Sequence, residues 1–160
     1  MTKKPVKTNA MRLLDAAKIQ YEVLTYADDF HSADEVAALI GVPAETVYKT
    51  LVVLPESGQG KPLLVMIPAT NELNLKGLGL AVGEKKLRMA TKREAEELTG
   101  LLIGGISPLA LLQKGFRIYI DEAVSALPYV HVSAGQRGIN LRLAPADLIK
   151  VTNAHPLNLD

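Results

Sequence analysis

Apolar residues recur along this chain with two periods, and their alternation outlines a mixture of helices and strands. Thr8 opens a short helix that sets Met11, Leu14 and Ala17 on one face. Residues 21–26 read as a first strand, and Ala27 to Phe30 as a polar loop. Ser32, with Glu35 three residues on, forms a capping box for a helix that runs through Ile40 and stops at Gly41. Pro43 starts a further turn. Residues 47–54 and 63–67 are two strands joined by a loop at Ser57–Gly60. Both are apolar almost throughout, which implies a sheet covered on both faces.

Asn71 or Asn74 caps the next helix, which reaches about Ala81, and residues 87–89 form a short strand. Thr91 and Glu94 make a second capping box, for a helix ended by Gly100. Residues 116–121 read as a strand. Residues 129–133 and 139–143 flank a wide glycine-bearing loop at 134–138, and Pro145 begins a last helix through Val151. No internal repeat or linker interrupts this order. The pattern predicts one α+β domain over residues 1–160 with a mixed sheet, residues 1–7 being a flexible tail.

Composition narrows the function classes. Charged residues make up 22% and the net charge is only +1, which is not the signature of a protein that grips long nucleic acid through its phosphates. An RNA partner would have to be engaged at a short end or delivered by another protein. The absence of cysteine removes disulfides, thiolate nucleophiles and thiolate metal ligands. The charged N-terminus is not a signal peptide, and no apolar run reaches the roughly 20 residues of a membrane span. The reading is cytoplasmic, with no membrane and no DNA partner.

Residues 99–108, Thr-Gly-Leu-Leu-Ile-Gly-Gly-Ile-Ser-Pro, stand out as a glycine turn anchored by large apolar residues. Bare backbone N–H groups in such a turn suit an acyl oxygen or a phosphate, and a tight core turn explains the same residues. Lys49 sits inside an apolar strand; it either blunts a sheet edge or points its ammonium into a cleft, and a strand covered on both faces favours the cleft. His31, His131 and His155 lack ligand spacing, so no metal is called for, and His131 reads as structural. Ser107, followed by Pro108, is a turn serine rather than a nucleophile elbow. Arg137 either meets a phosphate with its fork of donors or caps a solvated hairpin tip.

Four segments occur in order: 48–51 (Tyr-Lys-Thr-Leu), 69–76 (Ala-Thr-Asn-Glu-Leu-Asn-Leu-Lys), 104–108 (Gly-Gly-Ile-Ser-Pro) and 132–138 (Val-Ser-Ala-Gly-Gln-Arg-Gly). Together they make the chain resemble the YbaK/EbsC family of aminoacyl-tRNA deacylases, free-standing relatives of the editing domain inserted in bacterial prolyl-tRNA synthetases. The resemblance runs from about Ala10 to Val151. It implies a mixed, barrel-like central sheet surrounded by helices, no cofactor, and hydrolysis of Cys-tRNA(Pro) and Cys-tRNA(Cys) assisted by the substrate thiol. Its partners would be the aminoacyl-tRNA 3′ end and prolyl-tRNA synthetase in a ternary complex.

The resemblance assigns catalytic roles to Lys49, Gly104 and Ser133, with backbone N–H groups of Gly104 and Gly105 as oxyanion donors. Tyr26, Phe30, Ser32, Asn71, Gly105, Ser107, Pro108, Gly135 and Arg137 are implied substrate-binding residues. Ser32 stands where the family carries an aromatic, so either Phe30 walls the pocket or selectivity differs. Two alternatives stay open: an Ala-tRNA(Pro) deacylase of the same superfamily, and a non-catalytic tRNA- or synthetase-binding module.

Overall fold

The computed structural model describes residues 7–159. In chain order the elements are α1 (Asn9–Ala16), β1 (Tyr21–Thr25), α2 (Ala33–Ile40), β2 (Tyr48–Pro55), β3 (Leu63–Pro68), α3 (Leu75–Val82), β4 (Leu87–Met89), α4 (Lys92–Thr99), β5 (Arg117–Asp121), β6 (Val130–Ser133), β7 (Ile139–Leu143), α5 (Pro145–Thr152) and β8 (His155–Leu157). Of the expected tail, residues 1–6 lie outside the described residues, and Lys7 pairs with Asp15.

The strands form two open sheets, not one barrel-like sheet. One has three antiparallel strands in the order β1-β7-β6; the other is mixed, in the order β4-β2-β3-β5-β8. Where β6 meets the start of β2, only one parallel bridge forms, between Val47 and His131, so no ladder closes the ring among the described residues. β8 escapes a sequence reading because it is three residues long with a central proline, which cannot donate to a ladder.

The main core lies between the sheets. Tyr48 and Val52 of β2, Met66 of β3, Ile120 of β5, Val132 of β6 and Leu141 of β7 meet there, and Ala10, Met11 and Leu14 of α1 close it from outside. Ala17, expected on that buried face, is instead the exposed cap residue just past α1. A second cluster, with Val53, Leu63, Val65 and Ile67 against Leu78 of α3, covers the opposite face of the five-stranded sheet. Every residue of β3 is buried, as its continuous apolar run predicts.

Local signals set the helix ends. Ser32–Glu35 and Thr91–Glu94 form both halves of their capping boxes, and Gly41 and Gly100 end those helices in left-handed conformation. Asn74, rather than Asn71, caps α3 by accepting from the Gly77 N–H at 3.0 Å.

A buried polar chain fastens the two sheets at their single bridge. Arg142 Nε can only donate, so its 2.9 Å contact makes His131 Nε2 the acceptor. Nδ1 then carries the proton and donates to Thr46 Oγ1 at 3.0 Å, and Thr46 donates onward to the Pro43 carbonyl at 2.7 Å. Arg142 also reaches Glu22 at 3.0 Å and lies over the Tyr129 ring, 4.8 Å from its centroid. His131 is fully buried with both ring nitrogens engaged, which fits the structural role read from sequence.

Burial, and after it the Arg142 charge, push the His131 pKa below its ordinary value of 6.5. The folded chain therefore favours the neutral ring. Its stabilising contribution is complete above the ordinary histidine value and drains away as pH falls below it. Urea unfolding between pH 7.5 and 5.0 should show stability falling with pH, with a shallower fall in His131→Gln. Parallel slopes in the two proteins would refute this role.

Candidate active site

The register of the strands builds the site before any side chain is considered. From the Val47–His131 bridge, two residues further along each parallel strand lie Lys49 and Ser133. Ser133 is directly opposite Asn140 on β7, and Asn140 is opposite Leu24 on β1. Lys49, Ser133 and Asn140 thus form a row across β2, β6 and β7. All three line one cavity of about 270 Å³.

Further walls come from three other segments. Tyr26 and Phe30 contribute from the loop after β1, and His31, Ser32 and Val36 from the start of α2. Ile103, Gly104 and Ile106 contribute from the glycine turn after α4. The lysine and the turn, remote in sequence, therefore share a void. Lys49 is half-buried and has no carboxylate partner among the described residues, so its charge is available to a ligand. Ser133 Oγ accepts from the Gly135 N–H at 3.2 Å, which leaves its own O–H free to donate.

The glycine turn corrects one expectation. The Gly105 N–H donates to the Leu102 carbonyl at 2.8 Å, closing a four-residue turn with Gly104 at φ +91°. Gly105 therefore offers no donor to substrate. Gly104 keeps an N–H without a partner among the described residues.

Several expected contact residues act behind the wall instead of in it. Arg137 donates through Nε to the Ile103 carbonyl at 2.6 Å and lies 5.4 Å from the centroid of the Phe30 ring. It fastens the turn and backs Phe30. A Cβ on Gly105 would stand 3.0 Å from the Arg137 backbone nitrogen, and one on Gly138 would stand 3.0 Å from the Tyr26 carbonyl oxygen. The loop at 134–138 therefore holds the glycine turn with one side and the Tyr26 loop with the other. Gly135 packs against Ala110, Ser107 is fully buried, and Pro108 opens a short 3-10 helix. Asn71 accepts from Thr70 at 3.2 Å. None of Asn71, Gly105, Ser107, Pro108, Gly135 and Arg137 lines the cavity.

Sequence reasoning missed Asn140 and His31. Asn140 could have been found by counting the hairpin register back from the 134–138 loop to Ser133. His31 lies within reach of Asp29 at 2.9 Å and Glu35 at 3.8 Å, with its ring edge-on to Tyr26 at 5.9 Å. Burial raises the Tyr26 phenol above its ordinary value, so it is a neutral hydroxyl at pH 7.

The family model for an aminoacyl-tRNA editing domain matches residues 27–151, a span that contains every wall of this cavity except Tyr26. The chain belongs to the aminoacyl-tRNA editing domain family. EbsC of Enterococcus faecalis, provisionally named a Cys-tRNA(Pro)/Cys-tRNA(Cys) deacylase, is 36% identical over 92% of this chain and 89% of its own length. A proline–tRNA ligase of Pediococcus pentosaceus is 30% identical over 72% of the chain, which spans only 20% of that much longer protein. Among solved structures, one described provisionally as a trans-editing enzyme for prolyl-tRNA synthetase is 27% identical with a TM-score of 0.77. That likeness covers 98% of this chain and 99% of the other. A hypothetical protein of known crystal structure is 26% identical with a TM-score of 0.85, over 94% and 98% of the two chains.

In this editing domain the packing of the turn against the 134–138 loop is backbone on backbone, which has little room to yield. Gly105→Ala should therefore destabilise the fold by about 1–3 kcal/mol, measured by urea unfolding. Gly105 is not in the left-handed region, so the loss is steric.

Proposed function

We propose that this chain is a trans-editing deacylase that hydrolyses the ester of mischarged Cys-tRNA(Pro), and of Cys-tRNA(Cys), in the cytoplasm. The observation that carries the reading is the convergence on one cavity of Lys49, Gly104, whose N–H has no partner among the described residues, and Ser133. An aminoacyl ester is already an activated acyl donor. Its cleavage asks for orientation and for positive or donor groups aimed at the oxygen where charge develops. In this reading Lys49 and the Gly104 N–H face the ester carbonyl oxygen, and Ser133 donates to a neighbouring oxygen of the substrate.

The nucleophile comes from the substrate. The cysteinyl sulfur attacks its own carbonyl carbon, a C–S bond forms, and the bond to the ribose oxygen breaks. That oxygen takes up the proton released by the thiol, and water then opens the thiolactone. The chain supports this route because it has no cysteine of its own and its buried histidine has both nitrogens engaged.

A second reading, Ala-tRNA(Pro) deacylation, is favoured by one observation. Ser32 lines the cavity where the family carries an aromatic, while Phe30 remains 53% exposed at the mouth instead of filling it. A panel of tRNA(Pro) charged with Cys, Ala, Ser or Pro separates the readings: thiol assistance ranks Cys first, and attack by water with selection by size ranks Ala first.

Lys49→Met should lower kcat/KM on the preferred substrate about 10²–10³-fold, the range seen when an oxyanion-stabilising group is lost, while circular dichroism shows an unchanged fold. Undiminished turnover would remove Lys49 from the mechanism. A net charge of +1 and similarity to a domain within proline–tRNA ligases support presentation of the tRNA by prolyl-tRNA synthetase. Adding the synthetase should lower KM for Cys-tRNA(Pro) by an order of magnitude or more; tight tRNA binding by the deacylase alone would argue against the ternary complex.

A further inference from the structure

One polar group in the cavity has no task in the reaction just described. Asn140 is 4% exposed, lines the cavity, and its Oδ1 has no hydrogen-bond partner among the described residues. A buried carbonyl oxygen without a donor is a standing cost to the fold, and native proteins keep few of them. The side chain is also held in orientation. Its strand is paired on both sides, to β1 through Leu24 and to β6 through Ser133. Tyr26 lines the same cavity beside it. The polar atom left without a partner in this wall is thus an acceptor.

An acceptor calls for a donor on the ligand. Near its reacting carbon an aminoacyl ester offers two: the α-amino group and the neighbouring 2′-hydroxyl of the terminal ribose. The surroundings favour the amino group. Asp34 lines the same cavity, and Asp29 and Glu35 flank His31 at its lip. These three carboxylates, against the one Lys49 ammonium in the lining, favour a cation over a neutral hydroxyl. An amide suits this position in a way a carboxylate does not. A carboxylate in one row with Lys49 would pair with the ammonium and spend its charge, whereas an amide oxygen takes the donor and leaves Lys49 unpaired.

We propose that Asn140 Oδ1 accepts a hydrogen bond from the α-ammonium group of the substrate, and so selects aminoacyl esters over other acyl esters on the same tRNA. The assignment rests on the deacylase reading above. It makes Asn140 a specificity residue rather than part of the oxyanion-stabilising set.

The test compares two esters of tRNA(Pro) that share a thiol and differ in the amino group: cysteinyl and 3-mercaptopropionyl. The native protein should prefer the cysteinyl ester about 10- to 100-fold in kcat/KM, the range for a hydrogen bond to a charged group. Asn140→Leu, close in size but without an acceptor, should lower kcat/KM on the cysteinyl ester by a similar factor, chiefly through KM. The loss on the mercaptopropionyl ester should be several-fold smaller. Asn140→Gln, which keeps a neutral amide acceptor, should retain the preference and serves where the leucine variant folds poorly. Equal losses on both esters, or a native protein indifferent to the amino group, would overturn the assignment. So would a loss from Asn140→Leu that disappears on tRNA ending in 2′-deoxyadenosine, because the acceptor would then serve the ribose. A native protein that cleaves neither ester would overturn the deacylase reading itself, and this inference with it.

Discussion

The structure depends on one junction, where the buried His131 holds β6 to the residues leading into β2. Two sheets with separate hydrogen-bond ladders would otherwise be free to slide along each other. The bridge at Val47 and the chain from Arg142 through His131 and Thr46 to the Pro43 carbonyl fix their relative register. A slip of one residue would turn every side chain of a strand to its opposite face. Lys49 would then leave the cavity and Ser133 would lose its neighbour across the junction. A fully satisfied polar chain in an apolar interior suits this task, because each member is costly to expose alone and the set is stable only together.

The loop at 134–138 sets the next level of the site. It contributes no wall of the cavity, yet two other loops rest on it. The glycine turn packs against its Gln136–Arg137 backbone, and the Tyr26 loop against Gly138. Arg137 adds a hydrogen bond to Ile103 and a cation over the Phe30 ring. Glu96 of α4 holds the same turn from the other side by accepting from the Ile103 N–H at 2.9 Å. The backbone around Gly104 is thereby held from both sides.

Local chemistry made most of the fold legible in the sequence. Two capping boxes, left-handed stops at Gly41 and Gly100, and the apolar runs of β2 and β3 announce their elements from neighbouring residues alone. The division into two sheets was not legible, because it depends on which edges fail to pair, and no short window of sequence carries that. The site divides in the same way. Lys49 drew notice as a charge inside an apolar strand, and Gly104 as part of a paired-glycine turn. Gly105 misled because its N–H is used within the turn, and the bond from Arg137 to the Ile103 carbonyl had no local signal, because a guanidinium in a loop reads the same whatever acceptor it meets. Asn140 gave no local signal; its importance appears only when three strands align.

The walls of the cavity also differ in what stands behind them. Lys49, Ser133 and Asn140 grow from paired strands, Asn140 from one paired on both sides, so moving their backbones would disturb the ladders. The segment from Ala27 to Ser32 has no strand beside it. It is tied at one end where the Tyr26 N–H donates to the Gly138 carbonyl, and at the other by the α2 capping box. Between these moorings its length and side chains can drift with little penalty to the interior. Relatives could therefore reshape this side of the cavity by rewriting half a dozen lip residues, while Lys49, Ser133 and Asn140 stay where the sheets put them.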